Sequence, residues 1–252
     1  MIRYQDSGEI MLDITYDYRK IKQDGSWDEP DMVSEELKQA HKILWSKELP
    51  TGDLIHLSEG AAEDWDIGNP YLVLKTYLGK IKLTSDSMIN SYLKGKTNRL
   101  GKTLNLLTKE EKTSFLKLGY SIGNFILFPG NKINGKNTIN VERYRKYYDR
   151  FDFTLDAIRK FYIGESSDLY ECLDRYKSFF NLFVDFKGYC EFFFLQDFVS
   201  ADFNSVEYFV DPKLPYIPID LDHYRLYMRN CIDKISARNK RIMGSKEAVL
   251  IS

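Results

Sequence analysis

The sequence predicts a single α+β domain over residues 1–252, with a small antiparallel sheet in the N-terminal half packed against a predominantly helical C-terminal half. Short apolar runs typical of strands, separated by Gly, Asn and Pro, are concentrated in residues 1–130. Amphipathic helical periodicity dominates residues 140–242. Strands that come before helices, rather than alternating with them, are typical of the α+β class. We expect residues 243–252 to form a flexible tail.

The first elements are predicted from apolar periodicity. Residues 10–19 alternate as a half-buried strand does, and residues 32–45 have the spacing of an amphipathic helix. Further strands are predicted over 53–58, 71–77 and 79–84, and a helix is predicted to begin near Ser85. The apolar stripe of the helix over 32–45 comprises Val33, Leu37, Ala40, His41 and Leu44.

Capping signals divide the following helices. Thr108 and Glu111 form a capping box for a helix that ends near Gly119. The run IGNFILF then predicts a buried strand, and Asp152 or Ser167 can cap the two helices that follow. Asp185 can cap a further helix, whose dense aromatic residues are expected to face the core.

The last part of the chain is predicted to contain one more strand and one long helix. The strand covers SVEYFV, residues 205–210. An extended linker, DPKLPYIP, follows, because each Pro disfavours helix in the residue before it. The final helix begins with LDHYRLYM and runs to about residue 242.

Composition excludes several classes of protein. With 43% hydrophobic and 15% aromatic residues, the chain can bury a core and is not disordered. No apolar run reaches the roughly 18 residues of a membrane helix, and the acidic N-terminal stretch is unlike a signal peptide. The widely spaced Cys172, Cys190 and Cys231 indicate buried thiols in a reducing compartment. We therefore expect a cytoplasmic protein without a membrane partner.

Charge is unevenly distributed along the chain. Residues 1–70 carry 7 basic and 16 acidic side chains, a net charge of −9, whereas residues 71–150 carry 16 and 5, a net charge of +11. A basic middle segment can attract an anionic partner such as a nucleotide or nucleic acid. Alternatively, the acidic first third neutralises it. The sequence leaves both interpretations open.

Common catalytic motifs are absent from the sequence. KGKTNRLGKT resembles a phosphate-binding P-loop, but five residues instead of four separate Gly95 from Gly101. The three histidines are dispersed without metal-ligand spacing, so no metal site is predicted. No nucleophile elbow is present. The sequence leaves the cofactor unknown, and a carboxylate-only Mg²⁺ site stays open because such sites leave almost no sequence signature.

The segment FPGNKINGKNTIN, residues 128–140, is the strongest candidate site. Gly130, Asn131, Asn134 and Gly135 tolerate left-handed conformations, so their N–H groups could converge on an anion. Lys132 and Lys136 add positive charge, and a helix beginning near Asn140 would add its positive N-terminal end. The basic residues that follow lie among aromatic ones and include Arg143, Arg145, Lys146, Arg150 and Arg159. The alternative is an ordinary Asn–Gly turn before a solvated helix, with internal ion pairs.

Three segments together resemble a family of uncharacterised bacterial and phage-associated proteins with a domain of unknown function. They are FPGNKINGKNTIN, DRFDFTLDAIRKFY and LDRYKSFFNLFVDFKGYCEFFFLQDF, and the resemblance extends to a final stretch like ARNKRI. It implies a bacterial, intracellular setting and a shared site, but no chemistry. The positions that match the family pattern are Asn131, Gly135, Lys136, Thr138, Asn140, Asp149, Arg150, Asp152, Thr154 and Arg159.

The leading hypothesis from the sequence is a nucleotide- or nucleic-acid-directed protein, in a phage-defence or other mobile-element context. The candidate ligand-binding residues are Asn131, Gly135, Lys136, Thr138, Asn140, Arg150 and Arg159. Asp149 or Asp152 would be the general base or metal ligand if the protein is an enzyme. One alternative is a non-catalytic interaction module, such as a toxin, inhibitor or adaptor, that binds a protein partner. Another is a purely structural protein.

Overall fold

Seven strands and ten α-helices lie in the part of the chain that the computed structural model describes, which comprises residues 2–4, 9–59, 72–76, 79–90, 101–148, 150–245 and 249–251. The strands are β1 (Ile2–Tyr4), β2 (Glu9–Leu12), β3 (Leu57–Ser58), β4 (Leu72–Thr76), β5 (Gly79–Ser87), β6 (Phe125–Pro129) and β7 (Val249–Ile251). The helices are α1 (Pro30–Val33), α2 (Glu35–Trp45), α3 (Gly101–Leu104), α4 (Lys109–Gly119), α5 (Ile139–Tyr147), α6 (Phe151–Tyr162), α7 (Tyr170–Arg175), α8 (Lys177–Phe180), α9 (Phe186–Phe192) and α10 (Leu221–Met243).

The strands form two antiparallel sheets, and the helices follow mainly in the second half, as the predicted α+β class requires. One sheet has the order β3-β4-β5-β6, and the other has the order β1-β2-β7. The second sheet includes β7, which lies inside the predicted flexible tail. None of the described helices is long and apolar enough to cross a membrane.

Strand β5 positions side chains on both faces of the larger sheet. It continues through Ser87, so the helix predicted to begin near Ser85 is wrong over the described residues. Pairing with β6, in which Ser85 lies opposite Leu127, outweighs the local preference. Alternation along the strand directs Ser85 to one face and Thr84 and Asp86 to the other.

Helix α2 packs against the Ser85 face of this sheet. The predicted apolar stripe is buried except for Val33, because Ser34 interrupts the predicted helix and caps α2 through the N–H of Leu37 (3.2 Å). Trp45 Nε1–H donates to His41 Nδ1 (2.8 Å), so the neutral His41 ring donates from Nε2 to Ser85 Oγ (2.9 Å). These buried hydrogen bonds place His41 in the core, on the predicted apolar stripe of the helix.

Helix α10 joins the helical half to the larger sheet through a buried arginine and asparagine. Arg238 donates to the carbonyl groups of Phe193, Gly123 and Phe125. The neighbouring Asn239 accepts the N–H of Gly123 (2.8 Å) in the turn before β6. The ARNKRI stretch that resembles the family is therefore a structural clamp in this protein.

Several local predictions are confirmed. The capping box of Thr108 and Glu111 begins α4, which ends at Gly119. Asp185 caps α9 through the N–H of Gly188 (2.7 Å). Phe179, Phe183 and the aromatic residues of α9 pack ring against ring in the core, as expected from their density.

Other local predictions are wrong. The strand predicted over 10–19 ends at Leu12, and the strand predicted over 205–210 is a single bridge between Val199 and Val206. Neither Asp152 nor Ser167 is an N-cap, since Arg150 and Leu169 occupy those positions. Strand extent and cap identity depend on partners that are distant in the sequence, which periodicity does not identify.

Candidate functional site

The segment FPGNKINGKNTIN forms the end of β6, a tight turn and the start of α5. Asn134 and Gly135 adopt left-handed conformations (φ 52° and 70°), and Lys136 N–H donates to the Ile133 carbonyl (3.1 Å). This is the two-residue turn that Asn–Gly favours. Gly130 N–H donates to the Lys82 carbonyl (2.8 Å), which extends the pairing of β6 with β5. The Gly130 N–H is thus used within the sheet and cannot join the expected convergence of N–H groups on an anion, which for the rest of the loop stays a prediction.

A cleft nevertheless opens beside this turn. It has a volume of about 370 Å³ and lies between the turn, α5 and α7. Its lining residues are Gly135, Lys136, Asn137, Glu142, Lys146, Asp168, Glu171, Cys172 and Arg175. Two of the predicted ligand-binding residues, Gly135 and Lys136, thus lie at the cleft.

Arg175 in α7 and Tyr176 directly after it fix the loop in place through hydrogen bonds to two loop carbonyl groups. Arg175 donates from Nη2 to the Asn137 carbonyl (2.9 Å) and from Nη1 to the Glu171 carbonyl (3.0 Å). Tyr176 donates its hydroxyl proton to the Asn131 carbonyl (2.7 Å). Burial raises the pKa of Cys172 to about 11, so the cleft presents a protonated thiol rather than a thiolate.

The cleft carries three basic groups that are not neutralised by direct ion pairs. Within the described part of the chain, no carboxylate forms an ion pair with Lys136, Lys146 or Arg175. Glu142 accepts instead from Asn137 Nδ2 (2.7 Å) and lies 3.9 Å from Arg145. A ligand can therefore interact with these cations without first displacing a protein carboxylate.

The acidic groups of the cleft make it mixed in charge. Asp168 and Glu171 lie on the α7 side, and neither forms an ion pair with another described residue. Carboxylates accept hydrogen bonds from hydroxyl groups, as they do from the ribose of nucleotides in other folds. The lining therefore suits a ligand that presents both anionic and hydroxyl groups better than a bare anion.

The remaining loop residues that were predicted to bind ligand contribute mainly through the backbone or face the sheet. Asn131 accepts from Tyr176 through its carbonyl, and Thr138 is the N-cap residue of α5, although its side chain makes no capping bond. Asn140 donates from Nδ2 to Thr84 Oγ1 (3.1 Å), and its Oδ1 is buried without a partner. These positions shape the loop rather than line the cleft.

The structure places Arg150 and Asp152 in the core. Arg150 is 1% exposed, and its guanidinium forms a bidentate ion pair with the fully buried Asp152. Asp152 also accepts the N–H of Phe209 (3.0 Å), and Arg150 donates to the Tyr216 carbonyl (3.3 Å). Both residues hold the 209–216 segment against α6, a structural role in place of the expected phosphate binding or proton transfer.

Arg159 does not line the cleft. Arg159 donates to Asp156 on its own helix (3.0 Å). Asp149, the other candidate catalytic residue, lies outside the described residues. Sequence reasoning named Lys146 among the basic residues after the loop, but it missed Asn137, Glu142, Asp168, Glu171 and Arg175 as site residues. Two i,i+4 pairs, Glu142–Lys146 and Glu171–Arg175, were the available sequence signal, since each pair shares one helix face.

A second polar cavity lies on the Asp86 side of the larger sheet. Arg143, which is fully buried, donates to the Asp86 carboxylate (2.6 Å) and to the Ser87 carbonyl (3.0 Å). Burial raises the pKa of Asp86, and the guanidinium partly offsets this. The cavity, about 290 Å³, is also lined by Glu29 and Asp31. Among the described residues, no cluster of His, Cys, Asp and Glu could hold a metal ion.

An open, largely apolar cleft of about 760 Å³ lies at the C-terminal end of α5. It is lined by Tyr148 and by residues 212–219, the predicted proline-rich linker. Burial and the nearby Asp168 carboxylate raise the pKa of Tyr216, which lines this cleft. Asp168 itself lines the mixed-charge cleft and not the apolar one.

Comparison with known proteins identifies a family. A family model described as "Family of unknown function (DUF6994)" matches residues 12–242. No curated protein and no solved structure is matched. The match covers the cleft, both of its helices and the Arg238–Asn239 clamp.

Proposed function

The chain belongs to the DUF6994 family, a family of unknown function, and from its geometry we propose that it is a nucleotide- or nucleic-acid-directed protein. The mixed-charge cleft between the Asn134–Gly135 turn, α5 and α7 would bind the phosphate groups. One observation carries the proposal: Lys136, Lys146 and Arg175 meet at one cleft without carboxylate partners among the described residues. The phage-defence context and the bacterial origin stay predictions.

Each basic group has a separate part in this proposal. Arg175, fixed by two carbonyl groups, presents a preoriented guanidinium, and guanidinium groups pair bidentately with phosphate. Lys136 and Lys146 are exposed and add mobile charge from the turn and from α5, respectively. Asp168 and Glu171 would accept hydrogen bonds from ligand hydroxyl groups, which favours a nucleotide over inorganic phosphate.

The test is a thermal-shift titration with nucleoside mono- and triphosphates, using the full chain and a Lys136→Ala/Lys146→Ala variant. Lys109→Ala is the matched control, because Lys109 is equally exposed but lies on α4 and outside the cleft. Arg175 is left intact, since its loss would also release the turn.

At 100 times the dissociation constant, a bound nucleotide should raise the melting temperature by about 5–10 °C for a chain of this size. The double lysine variant should lose this rise, whereas Lys109→Ala should keep it. A wild-type protein that no nucleotide stabilises would overturn the nucleotide proposal. A rise that survives in the double lysine variant would place the ligand elsewhere.

A further inference from the structure

Two tyrosines are exposed side by side on the outer face of α5. Tyr144 is 53% exposed and Tyr148 is 39% exposed, and their ring centroids lie 6.3 Å apart. Most large aromatic side chains of this protein are buried in its core instead. An exposed aromatic pair offers flat surfaces on which unpaired bases can stack.

The backbone at Tyr148 supports a role for its ring. Tyr148 ends α5 in a left-handed conformation (φ 53°, ψ 44°), at the position where helices usually have Gly or Asn. A bulky residue in this conformation is strained, and such strain is often found at functional sites. The strained position brings the Tyr148 ring to the rim of the open apolar cleft.

Positive charge surrounds the tyrosine pair and leads to the mixed-charge cleft. Arg145 lies between the two tyrosines in sequence, and its side chain is 63% exposed. Lys146 follows and lines the cleft with Lys136. At helical spacing Arg145 lies about 100° round α5 from Tyr144, and Lys146 lies about 200° round it. The cations therefore continue round the helix from the tyrosine pair to the cleft.

We infer that this surface binds single-stranded nucleic acid, with phosphate groups in the mixed-charge cleft and bases stacked on Tyr144 and Tyr148. The inference rests on the proposed function and specifies its ligand. Stacked bases with a charged backbone match a surface that combines exposed rings with cations. A folded protein partner would not require the cations, and a mononucleotide carries one base, whereas this surface presents two rings.

The experiment is a fluorescence-anisotropy titration of the full chain with fluorescein-labelled U12 and dT12 at low and moderate salt. Tyr144→Ala and Tyr148→Gly should each weaken binding of both oligonucleotides about 5- to 150-fold. Tyr148→Gly also relieves the left-handed strain, so it should keep the fold. The matched controls Tyr144→Phe and Tyr148→Phe keep the rings and should bind within a few fold of wild type.

Salt dependence gives an independent readout. For single strands, a plot of log affinity against log salt concentration has a slope of about −0.7 per phosphate contact. If three cations contact phosphates, the affinity for U12 should therefore fall about 20-fold between 50 and 200 mM salt. The Lys136→Ala/Lys146→Ala variant should weaken binding and flatten this slope. The tyrosine variants should weaken binding and leave the slope unchanged.

The outcomes separate this inference from the proposed function. If nucleotides bind through the lysines, while U12 binds no more tightly than UTP and the tyrosine variants match wild type, the inference is wrong and the proposed function stands. If the tyrosine variants lose U12 but the lysine variant keeps it, the proposed cleft is wrong and the tyrosine surface stands alone. If neither nucleotides nor oligonucleotides bind, both are wrong.

Discussion

Replacing Asp152 by alanine tests whether the Arg150–Asp152 pair is structural. Both side chains are buried, and the carboxylate accepts from the Arg150 guanidinium and from the N–H of Phe209. Asp152→Ala would leave a guanidinium in the core without its carboxylate and a backbone donor without its acceptor. We therefore expect a large loss of stability.

The magnitude follows from the two groups that lose their partner. Removing one member of a buried ion pair costs about 3–5 kcal/mol, and an unsatisfied buried N–H costs about 1–3 kcal/mol. The two contributions overlap, because both arise from the same carboxylate. We expect Asp152→Ala to lower the free energy of unfolding by about 4 kcal/mol.

The assay is urea denaturation followed by circular dichroism, with Asp156→Ala as the matched control one helical turn later. Asp156 is 8% exposed, but its partners Arg159 and Lys160 are partly exposed and can turn to solvent, so its loss should cost only about 1–2 kcal/mol. Arg150→Met/Asp152→Leu should recover part of the lost stability, because it removes both charges. Equal, small losses for Asp152→Ala and Asp156→Ala would refute the structural role and return Asp152 to the candidate catalytic residues.

Two further predictions concern the buried groups that join the sheet to the helices. Gly123→Ala should lower the free energy of unfolding by about 1–3 kcal/mol, because its Cβ would lie 2.5 Å from Asn239 Oδ1. In the control Gly119→Ala the added Cβ meets nothing within 4 Å, so urea denaturation should show no comparable loss. Equal effects of the two substitutions would contradict the close approach of Gly123 to Asn239. Burial, aided by Arg238, lowers the pKa of His41 to about 3 in the folded protein. Between pH 6.5 and 5, the unfolded chain therefore takes up this proton and the folded protein does not. The free energy of unfolding should fall by about 2 kcal/mol over that range. Nitrogen-15 NMR should show a neutral His41 ring with its proton on Nε2 at pH 5, and a protonated ring there would disprove the assignment.

The sequence located part of the candidate site because turn chemistry is local. Asn134 and Gly135 tolerate left-handed backbone, and the helix begins where the pattern indicated, at Ile139 beside Asn140. Lys136 lies at the cleft for the same reason. The opposite wall, with Glu171 and Arg175, was missed because it comes from α7. Arg175 lies 38 residues after Asn137, the loop residue whose carbonyl it contacts.

Charged residues near the loop were assigned to ligand binding because sequence reading treats charge as a sign of exposure. Arg150 and Asp152 instead neutralise each other in the core, where segments 57 and 66 residues away supply the remaining partners. Arg143 is buried in the same way, against β5. A single sequence does not reveal which charges will be desolvated, since that depends on long-range packing.

By itself, the sequence determined the α+β class, the capping box of α4, the cap of α9, the Asn–Gly turn and the aromatic core. These features depend on propensities and hydrogen bonds between residues a few positions apart. Only the tertiary structure decided that β5 runs through Ser85, that Arg150 and Asp152 are internal, and that Lys136, Lys146 and Arg175 share a cleft. Each of these depends on which distant segment supplies the partner, because burial and pairing are properties of the packed chain.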